Sequence, residues 1–401
     1  MANHGLLGRF QSGEATIEQM EARIRQEDPR IHAWVETRTE THSETGPLKG
    51  VPYGAKDIIE TTGYHTSYGS PLFADHVSTE DAAIIKMLRG KGAVLLGKTQ
   101  TTSFAYFDPA PTRNPRRLDH TPGGSSSGSA AAVAAGMAPF AIGSQTAGSI
   151  IRPASFCGVV GIKPTFDLLP TQGFMPFAPT LDTAGFFTQT ALDLRALWEA
   201  LGYAVQEEYA PVYGMIEFHV DPDMQETFRE AVQILGAYGC VIRRITPPES
   251  LELSLHAVKV VQMYEGARTL EQTYRQHGSA VGVKLAQLIR DGLAMPEDTY
   301  RAALAVLEEG RRDMAEVFQT YPVLLSPAAP GQAPFGLAST GDPKCNAAWT
   351  GLHVPAVSIP IPVGEGLLPM GLQMTAAANQ EALLIATACH CQALLNAGAK
   401  G

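Results

Sequence analysis

Three residues carry the chemistry this chain offers first: Lys56, near the end of the apolar run GPLKGVPYGAKDII, and two glycine-bracketed serines, Ser125 and Ser149. A serine hydroxyl is a poor nucleophile at neutral pH and needs a base within hydrogen-bond reach, together with donors for the oxyanion that forms. A lysine can be that base only when neutral, and with an unperturbed pKa of ~10.4 it is neutral in well under one molecule per thousand at pH 7. Burial without a carboxylate partner disfavours the ammonium, so Lys56 is expected to be desolvated. Asp57 follows it directly, but on a strand adjacent side chains face opposite ways and Asp57 need not neutralise it.

Both serines lie in one stretch, Pro122 to Thr165, PGGSSSGSAAAVAAGMAPFAIGSQTAGSIIRPASFCGVVGIKPT. Runs such as AAAVAAG and FCGVVGI want burial, which separates the stretch from a flexible Gly/Ser linker. Its residues admit three readings. In one, GSSSG at Gly124 to Gly128 is a nucleophile elbow with Ser126 as nucleophile and a downstream Asp and His, but the preceding RRLDHTPGG is polar and proline-broken and supplies no strand. In the second, Lys56, Ser125 and Ser149 form a proton relay. In the third, the glycines only make a structural turn.

Two other motifs compete for attention. GAVLLGKT matches the phosphate-loop pattern, with Gly92, Gly97, Lys98 and Thr99 in register. The pattern requires a strand before it and a helix after it, whereas here the residues between the glycines read as the strand. Cys389, His390 and Cys391 resemble metal ligands, yet EALLIATACHCQALL has helical periodicity, which sends adjacent side chains in different directions.

The chain has 401 residues, a formal net charge of −10 and no dense Lys/Arg run, which argues against a nucleic-acid surface. No stretch approaches the ~20 apolar residues that span a bilayer, and the first residues lack the features of a signal peptide, so a cytoplasmic protein with no membrane partner is expected. The five cysteines are scattered and odd in number, against a disulfide framework.

The elements that must position the site follow from periodicity. Residues 13–27 read as a helix ending before Pro29, and 79–90 as a helix with Ile84, Ile85 and Leu88 on its face. TLDTAGFFTQTALDLRALWEAL reads as loop, short strand and a helix from near Asp193. MIEFHV, DPDMQETFREAVQILGAYG and CVIRRI read as strand, helix and strand, with Asp221 as N-cap and Pro222 at the first helical position. Residues 250–320 are mostly helical, and VLLSPAAP, PAVSIPIPV and PMGLQMTA return to strands. Strands scattered between helices imply an α/β layer fold.

These residues resemble the amidase signature family. The match runs over nearly the whole chain: GPLKGVPYGAKD, RGKGAVLLGKTQTTSFA, TRNP, PGGSSSGSAAAVAAG, SQTAGSIIRPASFCGVVGIKPT, LDTAG, CNAAWTGLHVPAVSIP and LPMGLQM occur in the family's order. Ser125 stands 69 residues after Lys56, and Ser149 another 24 on, spacings like those of small soluble members. The resemblance implies one α/β domain over 1–401, a large mixed twisted sheet with helices on both faces. Its core is expected at 45–200 and 320–395, and a variable, mostly helical substrate region at about 205–320.

It further implies Ser149 as acyl nucleophile, Ser125 as bridging serine after a cis Gly124–Ser125 bond, and Lys56 as base. Backbone N–H groups of Thr146, Ala147, Gly148 and Ser149 become the oxyanion donors, and Gly124, Ser126 and Arg152 the substrate contacts. Two departures stand out. Ala147 replaces a usual glycine, which a negative φ permits, and Arg152 lies three positions after Ser149, as in malonamidase-like members. There it binds a substrate carboxylate; alternatively it ties loops together. Asp182 and Thr183 are expected to brace the site and Cys157 to be a core residue. His120, Tyr264 and Glu265 are candidate substrate contacts.

The expected function is hydrolysis of a carboxylic amide to acid and ammonia or amine, without metal or organic cofactor. The partner is a small-molecule amide, and a homodimer is left open. A glutaminase subunit of tRNA-dependent amidotransferases and a catalytically silent amide-binding scaffold are the competing readings.

Overall fold

The computed structural model describes residues 5–40 and 45–399; the expected domain limits at 1 and 401 lie outside them. The strands are β1 (Trp34–Thr37), β2 (Pro52–Lys56), β3 (Val94–Thr99), β4 (Phe140–Gln145), β5 (Val160–Lys163), β6 (Thr183–Thr188), β7 (Tyr213–Met215), β8 (Ile242–Arg244), β9 (Val323–Pro327), β10 (Ala356–Ile361) and β11 (Met370–Ala376). They form one mixed sheet in the order β1-β3-β2-β4-β6-β5-β10-β11-β9-β7-β8. β2 pairs in parallel with both β3 and β4, and the centre of the sheet from β4 to β9 is antiparallel.

Side-chain alternation decides which layer covers each face. On one face Tyr53, Ala55, Phe140, Ile142, Phe186, Val357 and Leu372 meet apolar residues of the helices Ala83–Gly90, Ala191–Leu201, Pro222–Ala237 and Glu381–Gly398. On the other face Ala141 and Phe187 meet Ala130, Val133, Ile150 and Ala154 of two short helical segments. Those helices, Ser127–Ala134 and Ile151–Cys157, are buried except at Ala134, so they show no polar face and no readable period. Small residues bring them close to the sheet: a Cβ on Gly161 would stand 2.7 Å from Ala154 Cβ, and one on Gly128 2.2 Å from Ala33 O. The glycine and alanine content thus reflects packing distance rather than flexibility.

Several boundaries differ from the periodicity reading. The first long helix spans Ile17–Ile31 and passes through Pro29, which forfeits one hydrogen bond in the last turn, before His32 adopts a left-handed cap. The helix expected near Asp193 starts at Ala191, because Thr190 Oγ1 accepts the Asp193 N–H at 3.1 Å. The helix expected from 79 begins at Ala83.

The strand expected at MIEFHV is short and lies at Tyr213–Met215. Ile216 N still reaches Leu325 O at 2.9 Å, but the neighbouring β9 ends on Pro327, which has no N–H to continue the ladder. Asp221 is the N-cap residue and Pro222 the first helical residue, although the Asp221 side chain makes no cap bond. Helices Glu249–Thr269, Val283–Leu293 and Glu297–Thr320 form a separate apolar cluster, with Val258, Val261, Leu285, Ile289 and Leu307 packed against Phe104, Phe177 and Leu181.

Candidate active site

Lys56 is the last residue of β2, and its position in the alternation sends its side chain to the face that carries the small-residue helices. Its Nζ lies 2.6 Å from Ser125 Oγ and 2.8 Å from Ser144 Oγ, and the side chain is fully buried. Among the described residues Lys56 makes no ion pair; burial lowers its pKa to about 7, while the Asp182 charge pulls upward. Asp57 turns away, as the alternation requires, and faces Lys98 on β3.

The Gly124–Ser125 peptide bond is cis. Ser125 and Ser149 line the same narrow pocket, together with Ala105, Thr146, Arg152 and Thr340. Among the described residues no hydrogen bond joins the two serine hydroxyls, and Ser149 Oγ has no partner within the chain. Ser125 and Ser149 therefore meet at one cavity, and Lys56 is bonded to Ser125 without lining that cavity itself.

The turn that carries Ser149 is held by three polar residues. Gln145, at the end of β4, accepts the N–H groups of Ile150 and Ile151 at 2.8 and 3.0 Å and donates to Thr350 Oγ1 at 3.0 Å. Thr350 donates in turn to Ala147 O at 2.8 Å. Asp182 accepts Thr146 Oγ1 at 2.6 Å and the N–H groups of Phe177 and Ala178 at 2.7 and 3.0 Å; burial holds its pKa up, at about 6. Ala147 is not among the residues with positive φ, so the alanine fits the turn. A Cβ on Gly148 would meet Asn346 Oδ1 at 2.7 Å.

Arg152 is buried in the pocket wall. Its Nη2 donates to Gly124 O at 2.6 Å and to Thr340 Oγ1 at 3.4 Å, while Nε and Nη1 have no partner among the described residues. Desolvation lowers its pKa to about 10, which leaves it a cation at neutral pH.

The other predicted residues fall elsewhere. Ser126 Oγ bonds the backbone of Ser144 and does not line the pocket. His120 lies edge-on to Phe335 and beside Asp119. Tyr264 stacks on Tyr300 with ring centroids 4.2 Å apart, and Glu265 accepts from Thr180 and Tyr300, so neither lines the Ser149 pocket. Gln262, on the same helix, does. Thr183 Oγ1 bonds Leu181 O, and Cys157 is buried with its thiol pushed up to about 12 by desolvation. The phosphate-loop text is a strand: Lys98 donates to Ile59 O and Thr66 Oγ1 and lies 3.4 Å from Asp57. Cys391 packs into the core while His390 stacks on Tyr209.

The sequence reading does not single out Ser144, Gln145 or Thr350. A signal exists for the first two: SQ interrupts the apolar run FAIG immediately before the Ser149 turn. Thr350 offers none, since it joins the site across 203 residues of chain.

Comparisons with known proteins bear on family and fold. The family profile described as Amidase matches residues 21–213 and 209–385. A glutamyl-tRNA(Gln) amidotransferase subunit from Alkaliphilus metalliredigens is 31% identical over 394 residues, covering 82% of this chain and 80% of the relative. Its counterpart from Halothermothrix orenii is 30% identical, covering 96% and 94%. Among solved structures, one described as an amidase superposes with a TM-score of 0.86 at 26% identity, covering 96% of this chain and 98% of its own. The corresponding amidotransferase subunit from Thermotoga maritima follows with 0.80 at 26% identity, covering 94% and 90%. The chain belongs to the amidase signature family, enzymes that act on the carbon–nitrogen bond of amides.

Proposed function

We propose that this protein hydrolyses a carboxylic amide through an acyl-enzyme on Ser149, with Ser125 as proton bridge and Lys56 as base. One observation carries the reading: a fully buried lysine amine, without an ion-pair partner among the described residues, stands 2.6 Å from a serine hydroxyl that opens on the same pocket as the second serine. An amine with pKa about 7 is substantially neutral at neutral pH, so it can take the Ser125 proton as Ser125 takes that of Ser149.

Ser149 Oγ then bonds the amide carbon, and the carbonyl oxygen becomes an oxyanion facing the N–H groups of Thr146, Ala147, Gly148 and Ser149. Among the described residues no acceptor within the chain receives those four donors, which suits that task. Collapse breaks the C–N bond while the relay, run backwards, protonates the nitrogen. Water repeats the sequence to release the acid. The two unpaired nitrogens of Arg152, Nε and Nη1, favour an acyl group with a carboxylate or carbonyl at its far end.

The test is covalent labelling. A fluorophosphonate should add once to the native chain, on Ser149, and not to Ser149→Ala, which should also lose amide hydrolysis while its circular dichroism is unchanged. Labelling of the variant, or hydrolysis at near the parental rate, would remove the nucleophile assignment; a native chain that neither labels nor hydrolyses any amide would be a silent scaffold.

The curated relatives support a second reading, a glutaminase that works inside an amidotransferase complex. Co-purification of a partner protein, together with glutamine-dependent amidation of charged tRNA, would select it over a free-standing amidase.

A further inference from the structure

A second cavity reaches the relay, and the steps above leave it unused. Its volume is about 120 Å³. Ile58, Phe174, Met175 and Phe177 give it apolar walls, and its polar part is formed by Ser144, Thr146, Thr171, Asp182 and Thr183. Pro176 and Pro179, also in its wall, are exposed, so it opens to solvent. Ala105 and Thr146 separate it from the Ser149 pocket and line both. Through Ser144, whose hydroxyl is 2.8 Å from Lys56 Nζ, it ends beside the group that handles the proton.

We propose that this cavity receives the substituent on the amide nitrogen, so that the substrates include secondary amides with an apolar N-alkyl or N-arylalkyl group. The inference rests on the Ser149 reading. An amide has two halves, and the Ser149 pocket already offers the acyl half polar partners in Arg152, Gln262 and Thr340. The nitrogen half must depart next to the relay, since that is where its proton comes from. In that step the Ser149 Oγ–C bond forms and the C–N bond breaks. The proton lost by Ser149 reaches nitrogen through Ser125, and the neutral amine then takes a further proton from water.

The resulting ammonium finds a complementary charge in the cavity. Asp182 is the ionisable side chain among its lining residues, and with a pKa near 6 it is mostly a carboxylate at neutral pH. Apolar walls around one buried carboxylate suit a hydrocarbon-bearing amine better than free ammonia, which has no surface to bury.

The experiment compares kcat/KM of the full chain on succinamic acid and N-benzylsuccinamic acid, and on butyramide and N-benzylbutyramide. The benzyl amides should be hydrolysed within about tenfold of their primary counterparts or faster. Met175→Trp, which fills the cavity, should lower the benzyl-to-primary ratio by about tenfold or more, and Phe174→Ala should raise it for an N-naphthylmethyl amide. Hydrolysis of primary amides with none of benzyl amides would overturn the inference and leave the Ser149 reading standing. So would a ratio unmoved in both folded variants. Failure on all four substrates, with no labelling of Ser149, would instead remove the parent reading.

Discussion

Asp57 lies 3.4 Å from Lys98, both side chains fully buried, and this pair explains why the adjacent Lys56 has no ion pair among the described residues. β2 and β3 each carry a buried lysine, and the one carboxylate between them faces β3. Burial pushes Asp57 up and Lys98 down, and each charge pulls the other back toward ionisation. Lys98 donates to Ile59 O and Thr66 Oγ1, and Asp57 accepts from Ser67, so the pair is held by neutral partners on both sides.

Breaking this pair should therefore cost more than removing it. Lys98→Met or Asp57→Leu alone is expected to lower unfolding free energy by about 3–5 kcal/mol, because a buried charge is left unpaired. The double variant should lose less than the two singles together, which urea denaturation of the three proteins will measure. ATP should leave the melting temperature of the native chain unchanged.

Lys56 sets a pH dependence. Its folded pKa, about 7, lies below the usual lysine value, so the base form grows as pH rises. Activity (kcat/KM) should climb about tenfold per unit on the acid side and level off above an apparent pKa near 7. Stability has the same sign: between pH 7 and the unfolded value the unfolded chain binds the extra proton, so stability rises with pH through that window. Lys56→Met removes both effects. It should be inactive yet more stable than the parent at pH 6, with the gap closing toward alkaline pH.

Ser144 positions Lys56 rather than reacting. Ser144→Ala leaves the amine with Ser125 alone, and a drop in kcat of roughly tenfold with little change in KM is expected. Because the lost hydroxyl also accepts from the ammonium, the acid limb of the pH profile should move to lower pH. Ser144→Thr should restore both the rate and the limb, which a purely structural defect would not explain.

Arg152 separates two kinds of acyl group. Arg152→Ala should reduce kcat/KM for amides bearing a distal carboxylate by about 100-fold and for neutral amides much less, since the lost guanidinium would have met the carboxylate in a dry wall. Arg152→Lys should recover little, because a point charge cannot donate to Gly124 O and to a substrate in the same fork. Equal losses on both substrate types would assign the residue to loop anchorage alone.

What the sequence determined by itself was local and periodic: the buried Lys56 on a strand end, the two small-residue serine motifs, the strand–helix–strand run around Asp221, and the motif order that identifies the family. It also separated Lys98 from a phosphate loop, because a strand occupied the place where the loop should be. What only tertiary structure decided depended on distance between remote segments. Lys98 as the partner of Asp57, Ser144 as the second partner of Lys56, the Gln145–Thr350 clamp and the choice of Gln262 over Tyr264 or Glu265 all arise where remote stretches of chain meet across the sheet. The almost wholly buried helices at Ser127–Ala134 and Ile151–Cys157 were hidden for a related reason. Periodicity records the boundary between water and protein, and elements enclosed on every side have no such boundary to record.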